Sequence, residues 1–254
     1  MIVTAVKTKP ILPGDDLLST LDQYILKLSE GDILAVTSKI VSICEGSVVK
    51  NDGSVDKHDL IKNEADFYLN KPSSQIHDLM ITIKVGKLVG NSGIDESNGN
   101  GYYILWPKKP FASAAMIWKY LRHKHQVKNL GIIITDSHIA PLQWGTRGRA
   151  IAWCGIEPLK NYIGTPDIFG HNLRMTKASI IDGLAAAAVT VMSEGNEQTP
   201  LALIRDFPFA SFVSHPPSKK EIDALTIEPK HDIYAPLITS VEWKKGGTRI
   251  GSSA

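Results

Sequence analysis

Several marks of specialised proteins are missing from this sequence. Cysteine occurs only twice in 254 residues, at Cys44 and Cys154, and never as Cys-x-x-Cys. That argues against a disulfide scaffold or a zinc ribbon and reads as two core thiols of a reduced cytosolic protein. Neither sign of charge dominates, since 28 Lys and Arg against 26 Asp and Glu leave a formal net charge of +2. Nothing in that balance calls for nucleic acid as a partner. Long apolar runs are absent too: Leu184 to Val189, continuing to Met192, is about half the roughly twenty residues that a membrane helix needs. Lys7 and Lys9 follow the first apolar segment with no secretory core behind them. The expectation is a soluble, cytoplasmic protein with no membrane partner.

What is present is ordinary for a globular chain, at 43% hydrophobic and 21% charged residues, which excludes disordered and collagenous classes. This length allows one large domain or two intimately joined subdomains around a sizeable core. Ile2 to Val6 reads as a first strand closed by Pro13-Gly14. Asp15 and Asp16 then precede Leu17, Leu18, Leu21, Tyr24, Ile25 and Leu28 at helical spacing. Ile33 to Val36, Met80 to Val85, Tyr102 to Leu105, Gly131 to Ile134, Arg149 to Trp153 and Leu201 to Ile204 read as strands. A helix is expected from Phe111 to His123. Another, alanine-rich, is expected to run to Met192 with Thr176 as its cap and Gly195 as its stop. Ser137 to Gly148 reads as a loop, and the stretch from Ser214 as a peripheral extension. Strands and helices alternate imperfectly, so the fold class is α/β (α+β) with a mixed sheet.

The chemistry centres on two acids. Asp95 sits in Asn91-Ser92-Gly93-Ile94-Asp95-Glu96-Ser97-Asn98 after the strand-like Leu88-Val89-Gly90, and Asp136 ends the apolar run Gly131 to Ile134. Acids at strand ends are common turn formers and caps. Two of them with Asn98 and Ser137 nearby instead suit a hard divalent cation carrying nucleotide phosphates. Thr37-Ser38-Lys39 follows a buried strand, where amides and hydroxyls can hold phosphate oxygens, though no Walker loop occurs. Arg147 and Arg149 flank Gly148 and read either as anion-holding groups or as a surface pair. Glu194-Gly195-Asn196-Glu197 ends the alanine-rich helix. His138 is a further catalytic candidate. Trp106, Trp144 and Trp153 either stack a ring or pack.

Together these segments resemble the coenzyme F-420 γ-glutamate ligase family from about Thr8 to Arg205. The carrying residues include Pro10 with Gly14-Asp15-Asp16-Leu17, Gly31-Asp32, and Thr37-Ser38-Lys39-Ile40-Val41-Ser42 with Glu45-Gly46. Asn91, Gly93-Ile94-Asp95 and Ser97-Asn98 follow, then Ser113-Ala114 and Gly131 to Asp136. Gly145, Gly148-Arg149-Ala150-Ile151, Gly164, Asp167, Gly170, Asp182 and Glu194 complete the ordered set. The resemblance implies a mixed α/β architecture of that ligase type, assembled as an intertwined homodimer. It implies a catalytic domain over residues 1–213, an extension over 214–254, and no C-terminal flavin-binding domain.

The activity implied is a ligation dependent on GTP or ATP and on Mg²⁺ or Mn²⁺, with a monovalent cation as a further candidate. An acceptor carboxylate is activated as an acyl phosphate, and the amine of L-glutamate forms the amide. By carry-over Asp95, Asp136 and Ser137 hold metal, Ser137 standing where the family has a metal-contacting threonine. Asn98, Thr8 to Ile11 (with Pro10), Thr37-Ser38-Lys39, and Glu194 to Gln198 (with Gly195 and Glu197) line the nucleotide site.

The chain departs from the family at four places. Ile43 replaces a lysine, Thr135 to Leu142 replaces a Thr-Asp-Thr-x-Gly-Arg loop (Ala140 included), and the arginines expected near Thr165 and His171 are missing. The Ser-His-x-x-Pro-Leu loop resembles a folate-type γ-glutamate ligase branch, so the acceptor is either the deazaflavin precursor or a folate-like compound. The rival readings are a non-catalytic nucleotide- or metabolite-binding relative, favoured by the same departures, and a structural or interaction protein that keeps only the fold.

Overall fold

The computed structural model describes residues 1–70 and 78–247, which fall into two units. The first comprises Met1–Gly46, Pro107–Ser137 and Gly145–Pro217. The second comprises Ser47–Trp106, His138–Trp144 and Ser218–Ala254. The segment expected as a peripheral extension thus gives its first residues to one unit and the rest to the other.

A five-stranded mixed sheet forms the first unit, in the order Ile2–Val6, Leu201–Arg205, Asp32–Thr37, Leu130–Ile139, Thr146–Cys154. The first three strands pair antiparallel, whereas Asp32–Thr37 and Leu130–Ile139 run parallel. Ile33, Leu34, Ala35 and Val36 are fully buried, as continuous apolar strands are when both faces of a sheet are covered. Register then fixes the site. Val6 pairs with Leu201, Leu201 with Val36, and Thr37 with Thr135, so the polar segments beyond these residues collect at one edge.

The helices follow local signals. Asp16 caps Leu17–Tyr24 by accepting the Ser19 N–H at 2.7 Å, a contact of the kind worth about 1 kcal/mol. Pro110 opens Pro110–His125, where a missing N–H costs nothing, and Ala114, Ile117, Trp118 and Leu121 form its buried stripe. The alanine-rich helix Ile180–Met192 packs on Thr146–Cys154. Gly148 makes that approach possible, because a Cβ there would lie 2.3 Å from the Ala185 carbonyl oxygen.

Three local expectations are corrected. The strand from Leu130 continues to Ile139 and the next begins at Thr146, so Ser137 and His138 lie in a strand and the loop is shorter than Ser137 to Gly148. Thr176 does not cap the alanine-rich helix; Lys177–Ser179 forms a strand paired with Leu159–Asn161, and Ser179 holds the cap position. The helix stops at Ser193 with φ 64°, ahead of Gly195. A helix over Ser38–Cys44, not among the expected elements, follows Thr37.

The second unit contains the antiparallel order Lys244–Lys245, Phe67–Tyr68, Ile81–Lys84, Lys87–Gly90, and a separate pairing of Val48–Lys50 with Tyr102–Ile104. Helix Lys57–Glu64, capped by Asp56, contributes Ile61 to a core with Met80, Ile94 and Tyr103. Among the described residues no helix is long and apolar enough to cross a membrane.

Candidate active site

At the carboxyl ends of the parallel pair, the first unit gathers most of the singled-out segments. The Thr8 N–H donates to the Gln198 carbonyl at 2.8 Å, and the Thr37 N–H to the Pro200 carbonyl at 3.0 Å. These two bonds bring the Thr8 to Ile11 segment, the Glu194 to Gln198 segment and the Thr37-Ser38-Lys39 turn to one edge. The Thr37 side chain caps helix Ser38–Cys44, and the buried Ser38 hydroxyl donates to Asp136 Oδ1 at 3.2 Å. Pro10 is exposed and Ile11 half-buried on the same segment as the buried Thr8.

Successive strand residues point to opposite faces, and the contacts follow that rule. Asp136 meets Ser38, whereas Ser137 donates to Glu194 Oε1 at 2.7 Å and Thr146 donates to the same oxygen at 3.2 Å. Glu197 accepts from the Ser193 hydroxyl at 3.0 Å and from the Gly195 N–H at 2.9 Å. Its own backbone N–H first, and then those two bonds, hold its carboxyl below the usual range and order the turn after the alanine-rich helix.

The two arginines differ. Arg147 is exposed, whereas Arg149 is half-buried. Burial lowers the Arg149 pKa, and the negative charges of Asp136 and Asp182 oppose that shift. Asp182 is fixed in turn by the Ala150 N–H at 3.0 Å and the Ser179 hydroxyl at 2.8 Å. A guanidinium facing Asp136 balances the carboxylate when no cation is near, and it can turn toward a phosphate or carboxylate ligand.

Asp95 belongs to the second unit. It follows the turn Asn91–Gly93, and its backbone bonds Ile104 in both directions, at 2.9 and 2.7 Å. Its Oδ1 accepts the Ser97 N–H at 2.7 Å, an Asx contact of the turn-forming kind. Asn98 is exposed with φ 55°, and His138 is half-buried. Asn91 and Ser92 are buried at φ 51° and 54°, a conformation that Asn tolerates and that costs Ser about 1–2 kcal/mol. The sequence places both in the Asp95 segment, and nothing in the residue type of Ser92 reveals its strain.

The donor chemistry suits a hard cation. Among the described residues no three His, Cys, Asp or Glu side chains gather into a metal-holding group. A Mg²⁺ or Mn²⁺ ion carried by a triphosphate needs only one or two carboxylates, because phosphate oxygens and water supply the rest. Asp136 with the Ser38 hydroxyl offers oxygen donors only. For Ser137 to ligate as well, its hydroxyl would have to leave Glu194.

Other candidates resolve into packing. Trp106 and Trp153 are core residues, the latter edge-on to Phe111, and Trp144 is exposed. Cys154 is buried, Cys44 half-buried, and both are free thiols. Ile43, where the family has lysine, is buried at 6% exposure in helix Ser38–Cys44. This chain therefore spends that position on its core.

Acid, hydroxyl and amide groups outside the carboxyl ends of parallel strands form the arrangement in which open α/β sheets bind small molecules. Comparison with known proteins narrows this. A family model described as F420-0:Gamma-glutamyl ligase matches residues 5–206. The coenzyme F420:L-glutamate ligase of Methanopyrus kandleri is 32% identical over 212 residues, covering 78% of this chain and 83% of that protein. That of Methanosarcina mazei is 33% identical over 219 residues, covering 81% and 85%. For Halobacterium salinarum the figures are 30% over 215 residues, 77% and 83%. The chain belongs to the F420-0:gamma-glutamyl ligase family.

Proposed function

We propose that this protein is a cytosolic ligase that joins the amine of L-glutamate to a carboxylate acceptor as a γ-glutamyl amide, with GTP or ATP as phosphoryl donor. An acceptor carboxylate oxygen attacks the γ-phosphorus, the P–O bond to the nucleoside diphosphate breaks, and an acyl phosphate forms. The glutamate nitrogen then attacks the acyl carbon, phosphate leaves with one of the original carboxylate oxygens, and the nitrogen loses a proton. Bound Mg²⁺ or Mn²⁺ supplies neutralisation of the triphosphate and of the charge that develops in transfer.

The chain's own groups do the positioning. In the first unit Asp136 is a proposed carboxylate ligand of the metal, Thr8 to Ile11, Thr37-Ser38-Lys39 and the Glu194 to Gln198 turn line the nucleotide, and Ser137 with Thr146 keeps Glu194 oriented. Arg149, with Arg147 beside it, holds an anionic substrate group. In the second unit, taken by itself, Asp95 is a proposed metal ligand, Asn98 a nucleotide contact and His138 the candidate for taking up the amine proton. The observation that carries the reading is the gathering of Thr8, Ser38, Asp136, Ser137, Glu194 and Gln198 at one sheet edge in a chain of this family. The homodimer implied by the family resemblance is part of the proposal.

Two acceptors compete. The similarity to coenzyme F420:L-glutamate ligases favours an F420-type acceptor. The altered Thr135 to Leu142 segment and the missing arginines at Thr165 and His171 favour a folate-like one, which carries no phosphodiester to hold. Incubation with GTP or ATP, Mn²⁺, L-glutamate and each acceptor, read by mass spectrometry, decides. A gain of one glutamyl unit with phosphate release supports the ligase. Nucleotide-dependent thermal stabilisation with no product from either acceptor rejects it in favour of a non-catalytic binder.

A further inference from the structure

The five-stranded sheet carries a cleft at the end opposite the candidate active site. Its volume is about 410 Å³, and Glu30, Asp32, Arg205, Asp206, Phe207 and Phe212, all of the first unit, line it. Small-molecule sites span roughly 300–1,000 Å³ and combine apolar walls with a few polar groups. Asp32 opens the strand whose far end, Thr37, belongs to the candidate active site, so at about 3.3 Å per residue the two places stand roughly 17 Å apart. The walls are fixed: Phe212 bridges Ile156, and Phe207 stands edge-on to Phe209 at 6.0 Å. Most of the charge is committed. Glu30 accepts the N–H groups of Lys128 and Asn129 at 2.6 and 2.8 Å. Asp32, 3% exposed, accepts the Ser29 N–H at 2.9 Å and holds Arg205 through Nε at 3.1 Å and Nη2 at 3.3 Å.

Two groups stay open. The second terminal nitrogen of Arg205 makes no hydrogen bond among the described residues, on a side chain 43% exposed. The exposed Asp206 carboxylate has no hydrogen bond or ion pair among the described residues. Neighbours along a strand point to opposite faces, so extended backbone would send these two side chains apart. Asp206 instead follows the end of strand Leu201–Arg205 at φ 53°, a region that Asp tolerates, and both residues line one cleft. We propose that this cleft binds a free α-amino acid with an apolar side chain. Its carboxylate meets the Arg205 guanidinium, whose orientation Asp32 fixes, and its ammonium meets Asp206. Its side chain lies against Phe207 and Phe212. A simple amine would leave the guanidinium edge unused, and a simple carboxylate would face Glu30 and Asp206 with no cation of its own. This binding is independent of the proposed ligation.

Isothermal titration calorimetry of the full chain with L-phenylalanine tests the assignment. Two analogues accompany it: 3-phenylpropionate, which lacks the ammonium, and phenethylamine, which lacks the carboxylate. Saturable binding of L-phenylalanine is expected, with each analogue weaker by about tenfold or more. Asp206→Asn should weaken L-phenylalanine by about the same factor and leave 3-phenylpropionate no weaker. Asparagine tolerates the left-handed backbone, so that variant keeps the fold. Ala210→Trp, which fills the cleft from its wall, should abolish binding of all three compounds. Absence of saturable binding up to about 10 mM L-phenylalanine overturns the proposal. So does either analogue binding as tightly as the amino acid, and so does L-phenylalanine binding that either substitution leaves unchanged.

Discussion

Replacing Gly93 by alanine puts the tightness of the Asp95 turn to a quantitative test. A Cβ at position 93 would lie 2.1 Å from Trp106 Nε1, 2.4 Å from Cε2 and 2.6 Å from Cδ1. Trp106 is only 4% exposed, so the indole cannot swing into solvent to make room. Two costs follow. Holding a side-chain-bearing residue at φ 71° costs about 1–2 kcal/mol, and overpacking against a buried ring about 1–3 kcal/mol. Together they give about 2–5 kcal/mol, a large share of the roughly 5–15 kcal/mol that separates folded from unfolded domains.

Gly101→Ala is the control. Gly101 has φ 82° with nothing within 4 Å of the added Cβ, so it bears the conformational cost alone, about 1–2 kcal/mol. Urea denaturation followed by circular dichroism measures both variants. If Gly93→Ala proves no more destabilised than Gly101→Ala, Trp106 yields to the methyl group and the close packing of the turn on the indole carries no cost.

Further predictions concern the site and the thiols. Asp136→Asn should weaken Mn²⁺ binding and abolish glutamyl transfer while keeping the Ser38 contact, because the amide oxygen still accepts from that hydroxyl. Full activity at saturating Mn²⁺ would remove Asp136 from the metal set. Burial pushes the Cys154 thiol up to about 12 and the Cys44 thiol up to about 11. In both cases the folded value lies above the unfolded one, so the protonated state contributes stability below pH 9 that is lost as pH rises toward 11 and 12. The urea midpoint should therefore fall across that window, less steeply in Cys154→Ala, and both thiols should resist Ellman's reagent at pH 8 until urea is added. Asp32→Ala should destabilise by about 1–3 kcal/mol, since Asp32 is 3% exposed and accepts from the Ser29 N–H at 2.9 Å and from Arg205 Nε at 3.1 Å. A loss near zero would show that Arg205 finds solvent instead.

The parts of the fold legible in the sequence were those with strong periodicity or caps. Ile2 to Val6, the buried strand at Ile33, Asp16 before Leu17, and the stripe of Ala114, Ile117, Trp118 and Leu121 all announce themselves through pattern. Helix Ser38–Cys44 does not, because Ile40, Val41 and Ile43 are β-branched and favour strands; capping by Thr37 and burial decide the outcome. Asp136 reads as a strand-end residue and Ser137 as a loop residue since strand propensity ends at Ile134, yet the strand runs on to Ile139. The meeting of Ser137 with Glu194, or of Thr8 with Gln198, depends on sheet register between segments far apart in the chain, which local pattern does not encode. The left-handed conformation of Ser92 escaped notice for a related reason: a small polar residue announces no strain until its φ value is known.

Transfer of oxygen from acceptor to phosphate tests the central claim most directly. With the acceptor carboxylate labelled by ¹⁸O, whichever acceptor gains a glutamyl unit should yield inorganic phosphate carrying one ¹⁸O atom. Glutamylated product accompanied by unlabelled phosphate would contradict activation of the carboxylate by phosphoryl transfer.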